Sequence, residues 1–197
     1  MSTIEDDAFV RLFQERFGLT VDGWAGREVL AKLDEIASAK DPAGDQEIPD
    51  DYWPMLAKIE SGNRPYIKAP TSSASGLYQF IKATWVSLGG KWGSNNGAAF
   101  GGLTPSESEQ TGRAKIFTAK NAAYLRSRKI PVNKASLYAA HFFGPVTAAN
   151  VIGADKAARA DQIAGSAATA ANPSILQGKT VGEFLAWLFR KTGEWAR

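Results

Sequence analysis

A mainly α fold is expected from three features of the sequence. Apolar residues recur every three or four positions in several segments, helix start and stop signals bracket those segments, and strand-like alternation is scarce throughout. In the segment AFVRLFQERF, residues 8–17, Phe9, Leu12, Phe13 and Phe17 fall on one helical face, and Gly18 is placed to end the helix. The glycine-containing stretch LTVDGWAG reads as a tight loop, followed by a second stripe of Val29, Leu30, Leu33, Ile36 and Ala37. Residues 1–40 thus form a helical hairpin too small for a large core of its own. Residues 41–50, polar and rich in Pro, Gly and Asp, read as a linker to a second unit over 51–197.

In the second unit, Pro54 sits in the first turn of a short helix with Met55, Leu56 and Ile59 inward, ended by Ser61-Gly62-Asn63. Residues 86–103 are Gly-rich and read as a loop or small lobe. Thr104, Pro105 and Glu107 suggest the cap, first position and capping box of a long helix with Phe117 and Tyr124 inward. Another helix runs from Asn133 through KASLYAAHFF to Gly144-Pro145. The last opens on a Thr180–Glu183 capping box with Val181, Phe184, Leu185 and Leu188 as its stripe.

Composition narrows the function. The chain has 197 residues, no cysteine and a net charge of +3, a mild bias toward anionic partners. No run approaches the roughly 18 apolar residues of a membrane span, so stable membrane insertion is not expected. The acidic start MSTIEDDAFVRLFQ gives no reason to expect a secretory signal. No basic stripe or nucleic-acid motif is present, and a nucleic-acid partner is not expected. The C-terminal FLAWLFRKTGEWAR could touch an anionic membrane, although its caps and stripe fit core packing better.

One charge stands out. Glu60 is the only acid between Asp51 and Glu107, and it lies among Lys58, Arg64, Lys68, Lys82 and Lys91. It falls in the last turn of its helix, where the helix dipole favours a protonated carboxyl. Eight aromatics between Tyr52 and Phe100 could enclose it and raise its pKa further. A carboxyl kept protonated near neutrality is what protonating a glycosidic oxygen requires, and aromatic faces suit sugar rings. A solvated surface charge beside core aromatics explains the same residues, and residue types alone leave both readings open.

The residues that follow add a resemblance. ESGNRPYIKAPTSSASGLYQF, Glu60 to Phe80, is similar to the signature of lytic transglycosylases and phage endolysins of the lysozyme-like superfamily, which includes goose-type lysozyme. The match covers Glu60, Ser61, Gly76, Leu77 and Gln79 and runs on into IKATW. The resemblance implies a lysozyme-like α+β fold with very little strand. It also implies cleavage of the β-1,4 bond between N-acetylmuramic acid and N-acetylglucosamine in peptidoglycan, without metal or cofactor. Glu60 would be the general acid/base, with Ser61, Ser73, Ser75, Tyr78 and Gln79 shaping the substrate site.

The family's late Ala-Tyr-Asn-x-Gly stretch is replaced here by YAAHFFGP, which places His141 and Phe142 where Tyr and Asn would stand. Tyr138 lies one turn earlier. His141, the only histidine, could bond to Glu60 or substrate, or be a satisfied core imidazole. At the N-terminus, Phe13, Gln14, Gly18, Leu19, Val21, Asp22, Gly23 and Gly26 resemble one half of a two-part peptidoglycan-binding module. Asp22, Gly23 and Trp24 are then the candidate wall-contacting residues.

Typical glycosidases use two carboxyls, and residues 61–106 offer no second one. The resemblance supplies a one-carboxyl route, in which the sugar's own 6-hydroxyl closes onto C1 and leaves a 1,6-anhydromuramic end. Hydrolysis at the same Glu60, helped by Thr71, Ser73 or Ser75, remains open, as does a non-enzymatic, virion-associated wall-binding protein. A bacteriophage lysis enzyme, monomeric, made in the host cytoplasm and acting on the cell wall, is the expected setting.

Overall fold

The computed structural model describes residues 6–38 and 48–197. The chain divides into two compact units, Met1–Asp45 and Gln46–Arg197. Most of the expected linker lies outside the described residues, as do the side chains of Ile36 and Ala37.

The N-terminal unit contains α1 (Asp6–Arg16) and α2 (Arg27–Ser38). Its organising group is a polar side chain. Gln14, 2 % exposed, accepts the Asp22 and Gly23 N–H groups at 3.1 and 2.9 Å. Its amide donates to the Asp22 carboxylate at 2.6 Å and to the Trp24 carbonyl at 3.1 Å. The apolar stripes expected from periodicity form, yet Phe9, Leu12, Leu30 and Leu33 remain exposed, and Val29 is buried. A unit this small has too little interior to cover both stripes.

The second unit begins with α3 (Tyr52–Ser61), two residues ahead of the start expected from Pro54, with Asp51 before it. Tyr52, Leu56, Ala57 and Ser61 bury one face of α3, and Met55 and Ile59 flank it. Gly62 ends the helix in the left-handed conformation, φ 62°, and its N–H returns to the Lys58 carbonyl. The short α4 (Lys82–Ser87) buries Trp85, and the Gly-rich stretch after it is irregular apart from a 3-10 turn at Ala99–Gly102.

The long α5 (Glu107–Ser127) corrects one expectation. Its cap is Ser106, whose hydroxyl accepts the Glu109 N–H at 3.1 Å; Thr104 and Pro105 precede it. Glu109, in the first turn, pairs with Arg113 at 2.7 Å. Gln110, Ala114, Thr118, Asn121, Ala122 and Leu125 bury one face at three- and four-residue spacing.

The core is organised around α6 (Lys134–Phe143), where every residue from Ala135 to Ala140 is buried. An all-round apolar helix belongs in an interior, and α6 packs against α5, α7 (Pro145–Gly153) and α11 (Val181–Thr192). Its Asn133 cap, Gly144 stop and the Thr180–Glu183 box of α11 all occur as the sequence signals. Between them lie α8 (Ala160–Ala164), α9 (Ser166–Ala171) and α10 (Pro173–Leu176). The fold is mainly α. Extended pairing among the described residues is limited to isolated bridges, two of them, Lys68–Ser75 and Ser75–Phe80, in the loop after α3.

Candidate active site

Glu60 opens into a cleft of about 470 Å³ lined by Ala74, Gln79, Phe80, Ile81, Thr84, Phe117, His141, Phe142 and Gly144. Four helices and one loop build it, with α4 contributing Thr84. The last turn of α3 carries Glu60, α5 contributes Phe117, α6 contributes His141 and Phe142, and the loop 74–81 closes a wall. Among the described residues, no other acidic side chain lines the cleft.

Among the described residues, no side chain hydrogen-bonds or ion-pairs with the Glu60 carboxyl. Burial pushes that carboxyl up to about 7 from an ordinary 4.5, against the opposing positive field of Lys191. The negative end of α3 works in the same direction as burial. A group poised near 7 can give up a proton and take one back at neutral pH. Tyr52, buried beneath, and Tyr138 are both pushed well above the ordinary phenol range, chiefly by burial and further by the charge of Glu60. They stay neutral.

His141 is held by the main chain. Its Nε2 lies 2.9 Å from the Tyr78 carbonyl oxygen, which can only accept, so Nε2 carries the proton. Nδ1 therefore keeps a free lone pair, and it is buried without a partner. Phe80 and Phe117 pack on the ring at 5.6 and 5.8 Å, and desolvation pushes its pKa down to about 4. This histidine is a neutral acceptor in the wall of the cleft, and it does not bond to Glu60.

The loop that carries Gln79 is fixed by Gln110, a residue the sequence does not single out. Its Oε1 accepts the Leu77 N–H at 2.8 Å, and its Nε2 donates to the carbonyls of Pro65 (3.0 Å) and Pro105 (3.1 Å). Gly76 passes so close that a Cβ there would lie 2.4 Å from both Gln110 Oε1 and Phe100 Cζ, and its φ is 80°. Gln79 is itself left-handed, φ 48°, and donates to the Gly76 carbonyl at 2.9 Å. A non-glycine residue in this region stores about 1 kcal/mol of strain, which the surrounding hydrogen bonds hold in place at the edge of the cleft.

The other expected site residues divide sharply. Ser61 is buried and donates to the Ala57 carbonyl at 2.9 Å, so its hydroxyl serves the helix end. Ser75, fully buried, donates to the Ser73 carbonyl and accepts the Phe100 N–H. Tyr78 turns its hydroxyl to Thr111 at 3.0 Å and offers the cleft region only its carbonyl, through His141. Tyr138 packs against Trp187, tilted, at 5.8 Å and is 3 % exposed. Thr71 and Ser73 line a separate groove. Of the candidates, Glu60, Gln79 and His141 meet in the cleft. Thr84 and Phe117 join them without any signal in the sequence beyond their helical phase.

In the N-terminal unit, Asp22 accepts the Trp24 N–H at 2.8 Å, and that bond, with the Gln14 bond, holds its carboxyl below the usual range. The turn presents Trp24 to solvent at 74 % exposure. No cluster of three metal-ligating side chains occurs among the described residues. No protein-family model matches the chain, and no curated protein is significantly similar to it.

Proposed function

We propose that the chain cleaves the glycan strands of peptidoglycan, with Glu60 as the single general acid and base. One observation carries this reading. A lone carboxyl, poised near 7 by burial, faces a cleft walled by aromatic side chains, Gln79 and Thr84, with no second carboxylate among the described residues. The sequence resemblance around Glu60 and Gln79 supplies the substrate.

In this mechanism protonated Glu60 gives its proton to the bridging oxygen, and the bond from C1 to that oxygen breaks with oxocarbenium character at C1. The Glu60 carboxylate then takes the proton of the muramyl 6-hydroxyl as that oxygen bonds to C1. The acid is regenerated and a 1,6-anhydro end is left. Gln79, at the edge of the cleft, is placed to meet substrate hydroxyls. The absence of a second carboxyl from the cleft lining among the described residues favours this internal closure over a two-carboxyl hydrolysis.

Glu60→Gln tests the assignment. It keeps size and polarity and removes the transferable proton, so clearing of a peptidoglycan suspension should fall by about 10²–10⁴-fold. Clearing at the wild-type rate would rule the role out. Mass spectrometry of the wild-type digest decides the product: anhydro ends support internal closure, and reducing ends indicate water as the acceptor.

A further inference from the structure

Loop 68–82 has two faces. Ala74 and Ile81 turn to the Glu60 cleft, whereas their chain neighbours Ser73 and Lys82 turn to a second groove of about 330 Å³ with Lys68 and Trp92. The two hollows therefore share this loop as a wall.

The groove has a definite charge. Lys68 and Lys82 line it, and no acidic residue does among the described residues. Neither lysine has an ion-pair partner among the described residues. The Lys68 ammonium is fixed by donating to the carbonyls of Ala69 (3.1 Å) and Ser72 (2.9 Å). An ammonium has three N–H bonds, so one remains for a ligand. The Lys82 N–H donates to Ser73 Oγ at 3.0 Å, which ties the second lysine's backbone to the same turn. Trp92 is held against Phe100 at 5.9 Å and forms a fixed aromatic wall. One anchored ammonium, that of Lys68, and a second lysine carried on the same turn make, beside an aromatic surface, a site for a carboxylate attached to a sugar or a short peptide.

We propose that this groove binds a carboxylate of the wall polymer, so that Lys68 and Lys82 select charged glycan over uncharged glycan. The inference rests on the glycan-cleaving reading of the neighbouring cleft. The carboxylate comes from the lactyl group of the muramyl sugar or from the attached peptide, and the experiment separates the two.

Binding is measured by calorimetry with full-length Glu60→Gln protein, which leaves the ligands intact. The probes are a peptidoglycan tetrasaccharide with its peptides, the same glycan stripped of peptides, and uncharged N-acetylchitotetraose. Adding Lys68→Met and Lys82→Glu should weaken the peptide-bearing ligand about tenfold and leave chitotetraose unchanged. The same loss with stripped glycan assigns the lactyl carboxylate; loss only with peptides present assigns the peptide. Because Lys68 also ties the loop, Lys82→Glu alone is measured beside it and should give part of the loss at unchanged Tm. Equal affinity with and without the substitutions, equal weakening of chitotetraose, or no binding of the charged ligands overturns the proposal. Charge-selective binding by a wild-type protein that cuts no glycan would instead remove the glycosidase reading and leave the groove standing.

Discussion

The His141 imidazole donates from Nε2 to the Tyr78 carbonyl at 2.9 Å, joining α6 to the loop that walls the cleft. Burial holds this ring neutral, with its pKa near 4 against an ordinary 6.5. Its contribution to stability is complete above about pH 6.5 and is lost as pH falls through 4, because the unfolded chain takes up the proton first. Glu60 has the opposite sign. Its pKa rises from 4.5 to about 7, so its contribution is complete below about 4.5 and is lost as pH rises through 7. The two slopes oppose one another in the wild type. Glu60→Gln should therefore be more stable than wild type at pH 8, by on the order of 2–3 kcal/mol, and close to it at pH 4. Urea unfolding at both pH values checks this, and equal stability at pH 8 would refute burial as the cause of the raised pKa.

Activity should follow the same carboxyl. The proposed first step needs Glu60 protonated, so kcat/KM should decline as pH rises past about 7. Lys191, in the last turn of α11, pulls that pKa down. Lys191→Met should move the alkaline limb of the pH–rate profile to higher pH. A limb that stays in place would show that the Lys191 charge does not reach Glu60.

Gln110 satisfies one N–H and two carbonyls of segments that run past the cleft. Gln110→Leu removes all three bonds and should lower stability by roughly 2–4 kcal/mol. A lower urea midpoint at unchanged m-value is the expected reading; a loss under about 0.5 kcal/mol, typical of surface sites, would show that the loop stands without it.

Gly76→Ala meets both a positive φ and two close atoms. It should cost more than about 1 kcal/mol and reduce activity beyond the stability effect, since Gln79 hangs from the Gly76 carbonyl. Comparing activity at a temperature where both proteins are fully folded separates the two effects.

The Trp24 side chain stands in solvent on a turn fixed by Gln14 and Asp22. In full-length Glu60→Gln protein, Trp24→Ala should reduce the fraction that sediments with peptidoglycan and leave Tm unchanged. Undiminished sedimentation would remove Trp24 from the wall-binding role.

The local half of this architecture was legible in the sequence. The Asn133 cap, the Gly144 stop, the Thr180–Glu183 box and the Gly62 terminus depend on residues within a few positions of one another, and they occur where their patterns stand. The cap of α5 was misplaced because Thr104 and Ser106 both carry a hydroxyl beside Pro105. The Pro105 carbonyl is bonded to Gln110, and the helix opens after it, at Ser106. In the α1–α2 hairpin, periodicity located the stripes and overstated their burial, since burial depends on how much other chain is available to cover them.

For the site, the isolation of Glu60 and its helix-end position follow from the sequence alone, and so does the reason to expect a protonated acid there. Which serines and tyrosines join it does not. Ser61, Ser75 and Tyr78 carry suitable groups, yet each turns its hydroxyl to a neighbour within the fold, whereas Thr84, Phe117 and Phe142 come in from separate helices. The sequence by itself determined the helices α1, α2, α3, α5, α6 and α11, the caps of α6 and α11, and the single carboxyl. The tertiary structure decided the depth of its burial and hence its pKa near 7, the neutral state of His141, and which hydroxyls are left free. Helix caps are set by contacts a few residues apart, whereas desolvation and hydrogen-bond partners are set by groups brought together from 30 to 80 residues away.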